Sequence, residues 1–193
     1  MIFRIIRGIL RPIFRVLYNI KFEGTENLPK QGAMIICANH GNAIDPIILG
    51  ISMPYKKMYS MAKAELFKNK LFGYFLTSIG VFPVKRGEAD IKSIKKALSI
   101  LKSGQIMGMF PEGTRHKTEE LQAEPGVAML AVKGHALILP VAIISNYKFF
   151  NRTIVKIGQP MKLDQYYDKK LQNEDYQNIS LNIMKQIYHM YKR

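Results

Sequence analysis

Apolar positions along the chain follow two alternating rhythms. Continuous apolar runs at 33–38 (Ala33-Met34-Ile35-Ile36-Cys37-Ala38), 106–110 and 136–145 read as strands covered on both faces. Shorter runs at 21–24, 58–62, 81–84 and 154–157 read as further strands. Between them the period lengthens. Ile91, Ile94, Leu98 and Leu101 recur at spacings of 3, 4 and 3 with lysines between them, a helix that Gly104 ends. Further helices are predicted over 46–53, where Asp45 precedes Pro46 as a cap precedes a first-turn proline, over 66–79 and over 126–133. Ile179, Ile183 and Ile187 mark a final helix, with Glu174 and Asp175 near its start and Lys192 and Arg193 at its end, as the helix dipole favours. Strands alternating with helices predict an α/β fold: one domain, a mixed, mostly parallel sheet flanked by helices.

Residues 1–20 stand apart from residues 21–193. Arg4, Arg7, Arg11 and Arg15 fall within roughly an 80° arc of a helix, and Ile, Leu, Phe and Val fill the rest. Pro12 lacks an N–H and disfavours helical geometry at Arg11, so the expectation is one kinked helix or two short ones. An arginine in every turn excludes a bilayer span. A place in the membrane interface fits, with arginines at lipid phosphates. The competing reading is a helix packed on the protein's own core with a solvated basic face. The apolar sector is wider than one core contact needs, which favours the membrane interface.

Composition narrows the choices. At 193 residues with 48% apolar content, the chain can bury a core and is not disordered. One cysteine excludes a disulfide framework or a cysteine-built zinc site, and no two-histidine spacing suggests another metal. The net charge is +15, and most of it sits in residues 1–22, 56–70 and 85–102. Such a balance calls for an anionic partner: a membrane surface, a phosphorylated substrate or nucleic acid. No nucleic-acid motif is present and aromatics do not alternate with cations, so nucleic acid is set aside.

Three short segments carry candidate chemistry, each after a predicted buried strand, where sites in α/β sheets lie. In Asn39-His40-Gly41-Asn42-Ala43-Ile44-Asp45 a turn can fold the carboxylate back onto the imidazole, giving a general base and an orienting acid. An ordinary hydrogen-bonded pair or a helix cap would share that spacing. In Phe110-Pro111-Glu112-Gly113-Thr114-Arg115 one tight loop offers an acceptor, close backbone approach, a hydroxyl and a bidentate phosphate donor. A polar turn with a local ion pair would also account for it. In the segment Gly80 to Arg86, Lys85 and Arg86 could hold a phosphate at a strand end or simply continue a solvated basic turn.

Taken together, in this order, the segments resemble the glycerolipid acyltransferase family, particularly bacterial lysophosphatidic acid acyltransferases. Asn39, His40 and Asp45 match the family's first signature, and 110–115 match Phe-Pro-Glu-Gly-Thr-Arg at every position. Gly80 to Arg86 match its second signature, and Leu139-Pro140-Val141 its fourth. The resemblance covers roughly residues 20–160. Two departures are Asn42, where many relatives have Ser, and Glu124-Pro125 before Gly126, where many have a basic residue.

The resemblance implies transfer of an acyl group from a thioester, acyl-CoA or acyl carrier protein, to the free hydroxyl of lysophosphatidic acid, without another cofactor. It implies that His40 takes the hydroxyl proton while Asp45 holds the ring. Glu112 then orients the glycerol, Gly113 and Thr114 complete the loop, and Arg86 and Arg115 bind phosphate with Lys85 secondary. Cys37, inside an apolar strand, reads as a core residue and not a nucleophile. The expected location is the cytoplasmic face of a membrane. Acylation of glycerol 3-phosphate or another lysophospholipid, or a non-catalytic basic membrane-binding protein, are the alternatives.

Overall fold

The apolar run at 34–38 lies in the middle of a seven-stranded sheet and is buried along its whole length. The computed structural model describes residues 2–52, 57–85, 90–113 and 121–192. In chain order the elements are α1 (Ile2–Leu17), β1 (Ile20–Glu23), β2 (Met34–Ala38), α2 (Asp45–Ser52), β3 (Met58–Lys63), α3 (Lys70–Ser78) and β4 (Val81–Val84). There follow α4 (Ile91–Lys102), β5 (Ile106–Met109), α5 (Gly126–Lys133), β6 (Leu137–Ile144), β7 (Thr153–Ile157) and α6 (Asn173–Lys192). Short 3-10 turns occupy Thr25–Asn27, Ala64–Phe67 and Asp164–Tyr166.

The strand order is β1-β7-β6-β2-β5-β3-β4. β6, β2, β5, β3 and β4 are mutually parallel. β7 returns antiparallel to β6, and β1 pairs parallel to β7. The C-terminal ends of the five parallel strands therefore share one edge, and β1 starts from that same edge.

Strand periodicity divides the core. Ile35 and Cys37 of β2 face α4, α5 and α6, together with Met107 and Ile138. Met34, Ile36 and Ala38 face the opposite way, toward α1 and α2. Both faces being covered explains why β2 and β6 read as unbroken apolar runs and not as alternations.

One expectation is corrected and one pair of alternatives is narrowed. The helix expected over 66–79 begins at Lys70, because the Asn69 side chain accepts from Phe72 N–H at 3.0 Å and caps it there, leaving Ala64–Phe67 as a separate 3-10 turn. The N-terminal segment is one helix with Pro12 inside it and not two short ones. Leu10, Phe14 and Leu17, on both sides of the proline, pack against the sheet and hold it together. Ile5, Ile9, Ile13 and Val16 point outward and are exposed. The apolar sector is thus split between a core stripe and an outer stripe.

Asn39 fastens the end of β2. Its side-chain Nδ2 donates to Ile143 O at 3.0 Å, and its Oδ1 accepts from Ile143 N–H at 2.8 Å. The amide continues the ladder to β6 one residue past the strand, so the following residue leaves the sheet at a fixed place. Replacing Asn39 with Ala strands both Ile143 groups in a buried position. Each such loss costs roughly 1–3 kcal/mol, so Asn39→Ala should lower stability by about 2–6 kcal/mol, read as a drop in the urea unfolding midpoint.

Candidate active site

Between β2 and α2 the chain turns sharply, and the turn is built around one oxygen. Asp45 Oδ2 accepts from Gly41 N–H at 2.8 Å and Asn42 N–H at 2.7 Å, and it meets His40 Nδ1 at 3.1 Å. Asn42 Oδ1 accepts from Ile44 N–H at 3.2 Å, and Asp45 N–H donates to Asn42 O, so the intervening residues close a tight loop. Asp45 is fully buried. An ionised carboxylate only accepts, so Nδ1 carries the proton and Nε2 presents its lone pair. The Phe110 ring stacks on the imidazole at 4.2 Å between centroids. The ring is thereby fixed by a hydrogen bond at its edge and a stack on its face.

The loop after β5 lies beside this turn because β5 neighbours β2 in the sheet. Glu112 is buried, and its Oε1 accepts from His40 N–H at 3.4 Å. Gly113 has φ +69°, and a Cβ there would stand 2.7 Å from Glu124 Cγ, so glycine suits the position. Glu124 N–H donates to Pro111 O at 2.7 Å, which ties the start of α5 to this loop. The departure at Glu124 thus packs over Gly113.

His40, Asp45, Glu112 and Gly113 come together. Thr114, Arg115 and Arg86 lie outside the described residues. Lys85 is exposed at the end of β4, on the same sheet edge, three strand spacings from β2, or about 14 Å. Its N–H donates to Asp90 Oδ2 at 3.0 Å. Hydrogen bonds from Lys85 and Ser93 hold the Asp90 carboxyl down to about 2 while it caps α4. Cys37 is buried, and burial pushes its thiol well above the ordinary thiol range, so it stays protonated.

Within this geometry the chain's relationships become decisive. A family model described as Acyltransferase matches residues 19–144. The chain belongs to this acyltransferase family. Among relatives, a 1-acyl-sn-glycerol-3-phosphate acyltransferase of Bacillus subtilis is 37% identical over 158 residues, covering 79% of this chain and 78% of that protein. A protein of the same name from Streptococcus pneumoniae is 27% identical over 172 residues, covering 86% of this chain and 63% of its own length. The crystal structure of the 1-acyl-sn-glycerophosphate (LPA) acyltransferase PlsC from Thermotoga maritima shares the fold, with a TM-score of 0.70 at 23% identity over 99% of this chain and 80% of that one.

One neighbour of the His40–Asp45 turn has no signal in the sequence. Tyr147, in the return from β6 to β7, stands over Gly41: a Cβ on Gly41 would lie 3.1 Å from the phenol oxygen. Tyr147 adopts φ +58°, held by its N–H donating to Ser145 Oγ, which is itself paired with Thr153 Oγ1 at 2.7 Å. Burial first, then the charge of Asp45, raises the phenol's proton affinity above its ordinary range. The neutral phenol donates a hydrogen bond to the buried Asp45 carboxylate. Tyr147 is a positioning residue for Asp45 on this geometry. Tyr147→Phe should lower kcat by about tenfold, within the range for a lost hydrogen bond to a charged group, with acceptor KM nearly unchanged. Steady-state kinetics across acceptor concentrations checks this.

Proposed function

We propose that this acyltransferase moves a fatty acyl group from a thioester, acyl-CoA or acyl carrier protein, to the free hydroxyl of lysophosphatidic acid, giving phosphatidic acid. The observation that carries the reading is the buried Asp45 carboxylate 3.1 Å from His40 Nδ1, which leaves Nε2 as a base at the open edge of the sheet. The names of the Bacillus subtilis and Streptococcus pneumoniae relatives support the acceptor.

In the proposed step the hydroxyl oxygen attacks the thioester carbonyl carbon while Nε2 takes the hydroxyl proton. Asp45 stabilises the imidazolium that forms. The tetrahedral centre collapses, the C–S bond breaks, and the leaving thiolate takes the proton back from His40. Glu112, buried against the His40 backbone, orients the glycerol. Arg86 and Arg115 take the phosphate, and Lys85 assists with a headgroup that extends along the edge. The thioester is a co-substrate, and no metal or further cofactor enters the step.

Among the described residues no helix is long and apolar enough to cross a membrane. The outer stripe of α1 (Ile5, Ile9, Ile13 and Val16) is exposed beside a helix rich in arginine. We read α1 as lying in the interface of an anionic phospholipid membrane, on its cytoplasmic face.

A turnover assay crossing both donors with lysophosphatidic acid, glycerol 3-phosphate and other lysophospholipids tests the reading. Lysophosphatidic acid should give the highest kcat/KM, and a preference for glycerol 3-phosphate would move the assignment to a sister activity. His40→Ala should lose about a thousandfold in kcat, as expected for a general base. Cys37→Ala should keep most activity, whereas its loss would point to an acyl-cysteine intermediate.

A further inference from the structure

Helix α3 is apolar on nearly every side, yet of its nine residues only Gly73 is buried. Leu71 is 81% exposed and Tyr74 69%, with Phe72 and Phe75 also exposed and stacked on each other. A helix with no polar face is normally covered, and an exposed apolar cluster marks a contact surface. No α3 residue belongs to either core cluster. Lys63, Lys68 and Lys70 surround the helix start and are exposed, Glu65 is the acid among them, and none of the lysines forms a salt bridge among the described residues.

Position in the fold adds a second observation. β3 ends at the same edge as β2, so the turn into α3 stands at the edge that carries His40. The end of α1 reaches that edge too, since β1 starts there. Phe149 and Phe150 continue the α1 surface: Phe149 packs on Tyr18, and Phe150 N–H donates to Leu17 O. Both are exposed. α1 leads into β1 at one end of the sheet and α3 leads into β4 at the other, six strand spacings apart, or about 29 Å. β2 and its histidine lie between them.

We propose that α3 is a second lipid-binding surface, which seats its apolar residues in an anionic bilayer with Lys63, Lys68 and Lys70 at the phosphates. Apolar residues ringed by cations match a lipid interface. With α1 it forms a two-point attachment that turns the catalytic edge toward the bilayer. The inference rests on the reading of α1 as a membrane helix, and its readout is independent of the acyl acceptor.

The chain has no tryptophan, so a single Trp reports its own position. Tyr74→Trp and, separately, Val16→Trp are mixed as full-length protein with vesicles of phosphatidylglycerol and phosphatidylcholine carrying brominated acyl chains. Emission from both variants should shift to the blue, be quenched by bromine and lose access to aqueous iodide. Leu71→Gln combined with Tyr74→Gln should weaken co-sedimentation with such vesicles by about tenfold, since two large side chains lose their burial. Tyr74→Trp emission that stays unmoved while Val16→Trp is quenched overturns the proposal and leaves α1 as the sole attachment. Neither emission moving overturns both readings. Shielding of Tyr74→Trp with rising protein concentration, without vesicles, would assign the surface to a second copy of this chain and overturn the lipid proposal.

Discussion

Asp45 Oδ2 receives three donors from a stretch of six residues: the His40 ring and the Gly41 and Asn42 amides. That convergence sets the path of the chain. The backbone leaves β2 pointing out of the sheet and must reverse into α2, and its amides need partners in a space with little water. The carboxylate supplies them. Pro46, the next residue, has no N–H to satisfy and suits the first turn of α2. The oxygen that shapes the turn also fixes the tautomer of His40, so the fold of the turn and the orientation of the imidazole depend on one atom.

The sheet decides what else can meet that turn. β2 lies between β6 and β5, which come from distant parts of the chain. All three run in the same direction, so their outgoing loops meet at one edge. From β5 comes Glu112, against the His40 backbone, and Phe110, on its ring. From β6 come the Ile143 backbone that Asn39 grips and, a few residues on, Tyr147. A parallel arrangement of three central strands thereby gathers on one histidine groups that no local segment could supply.

How much of this the sequence reveals follows from the range of each interaction. The His40–Asp45 pair is legible because five residues and a turn suffice to make it. The strands β2, β5 and β6 are legible because burial on both faces leaves continuous apolar runs, and α4 because its spacing of 3, 4 and 3 has one reading. The start of α3 is not legible from apolar count: Leu66 and Phe67 belong to a 3-10 turn, and only the Asn69 cap separates it from the helix. The single course of α1 through Pro12 depends on Leu10, Phe14 and Leu17 meeting the sheet, a tertiary contact that local proline rules ignore. Asn39 is visible as part of a motif, but its partner is the backbone of Ile143. Tyr147 has no local mark at all, since its place over Gly41 exists only once β6 has paired with β2.

The net charge of +15 takes on a different meaning beside this geometry. Among the described residues, the His40–Asp45 turn and the buried Glu112 carry no excess of cations. The positive charge lies instead on α1, around the start of α3 and along α4. On α1, burial and the neighbouring Arg11 both weaken the proton affinity of Arg7, a repulsion that an incoming anion relieves. Such charges act over a Debye length of about 10 Å at moderate salt. They can draw the protein to an anionic surface, but they cannot fix its orientation to the accuracy that chemistry requires. If α1 and α3 seat in lipid as proposed, orientation falls to their apolar stripes, whose contacts act only at touching distance. On that proposal the cations attract and the apolar stripes seat, two roles carried by different side chains.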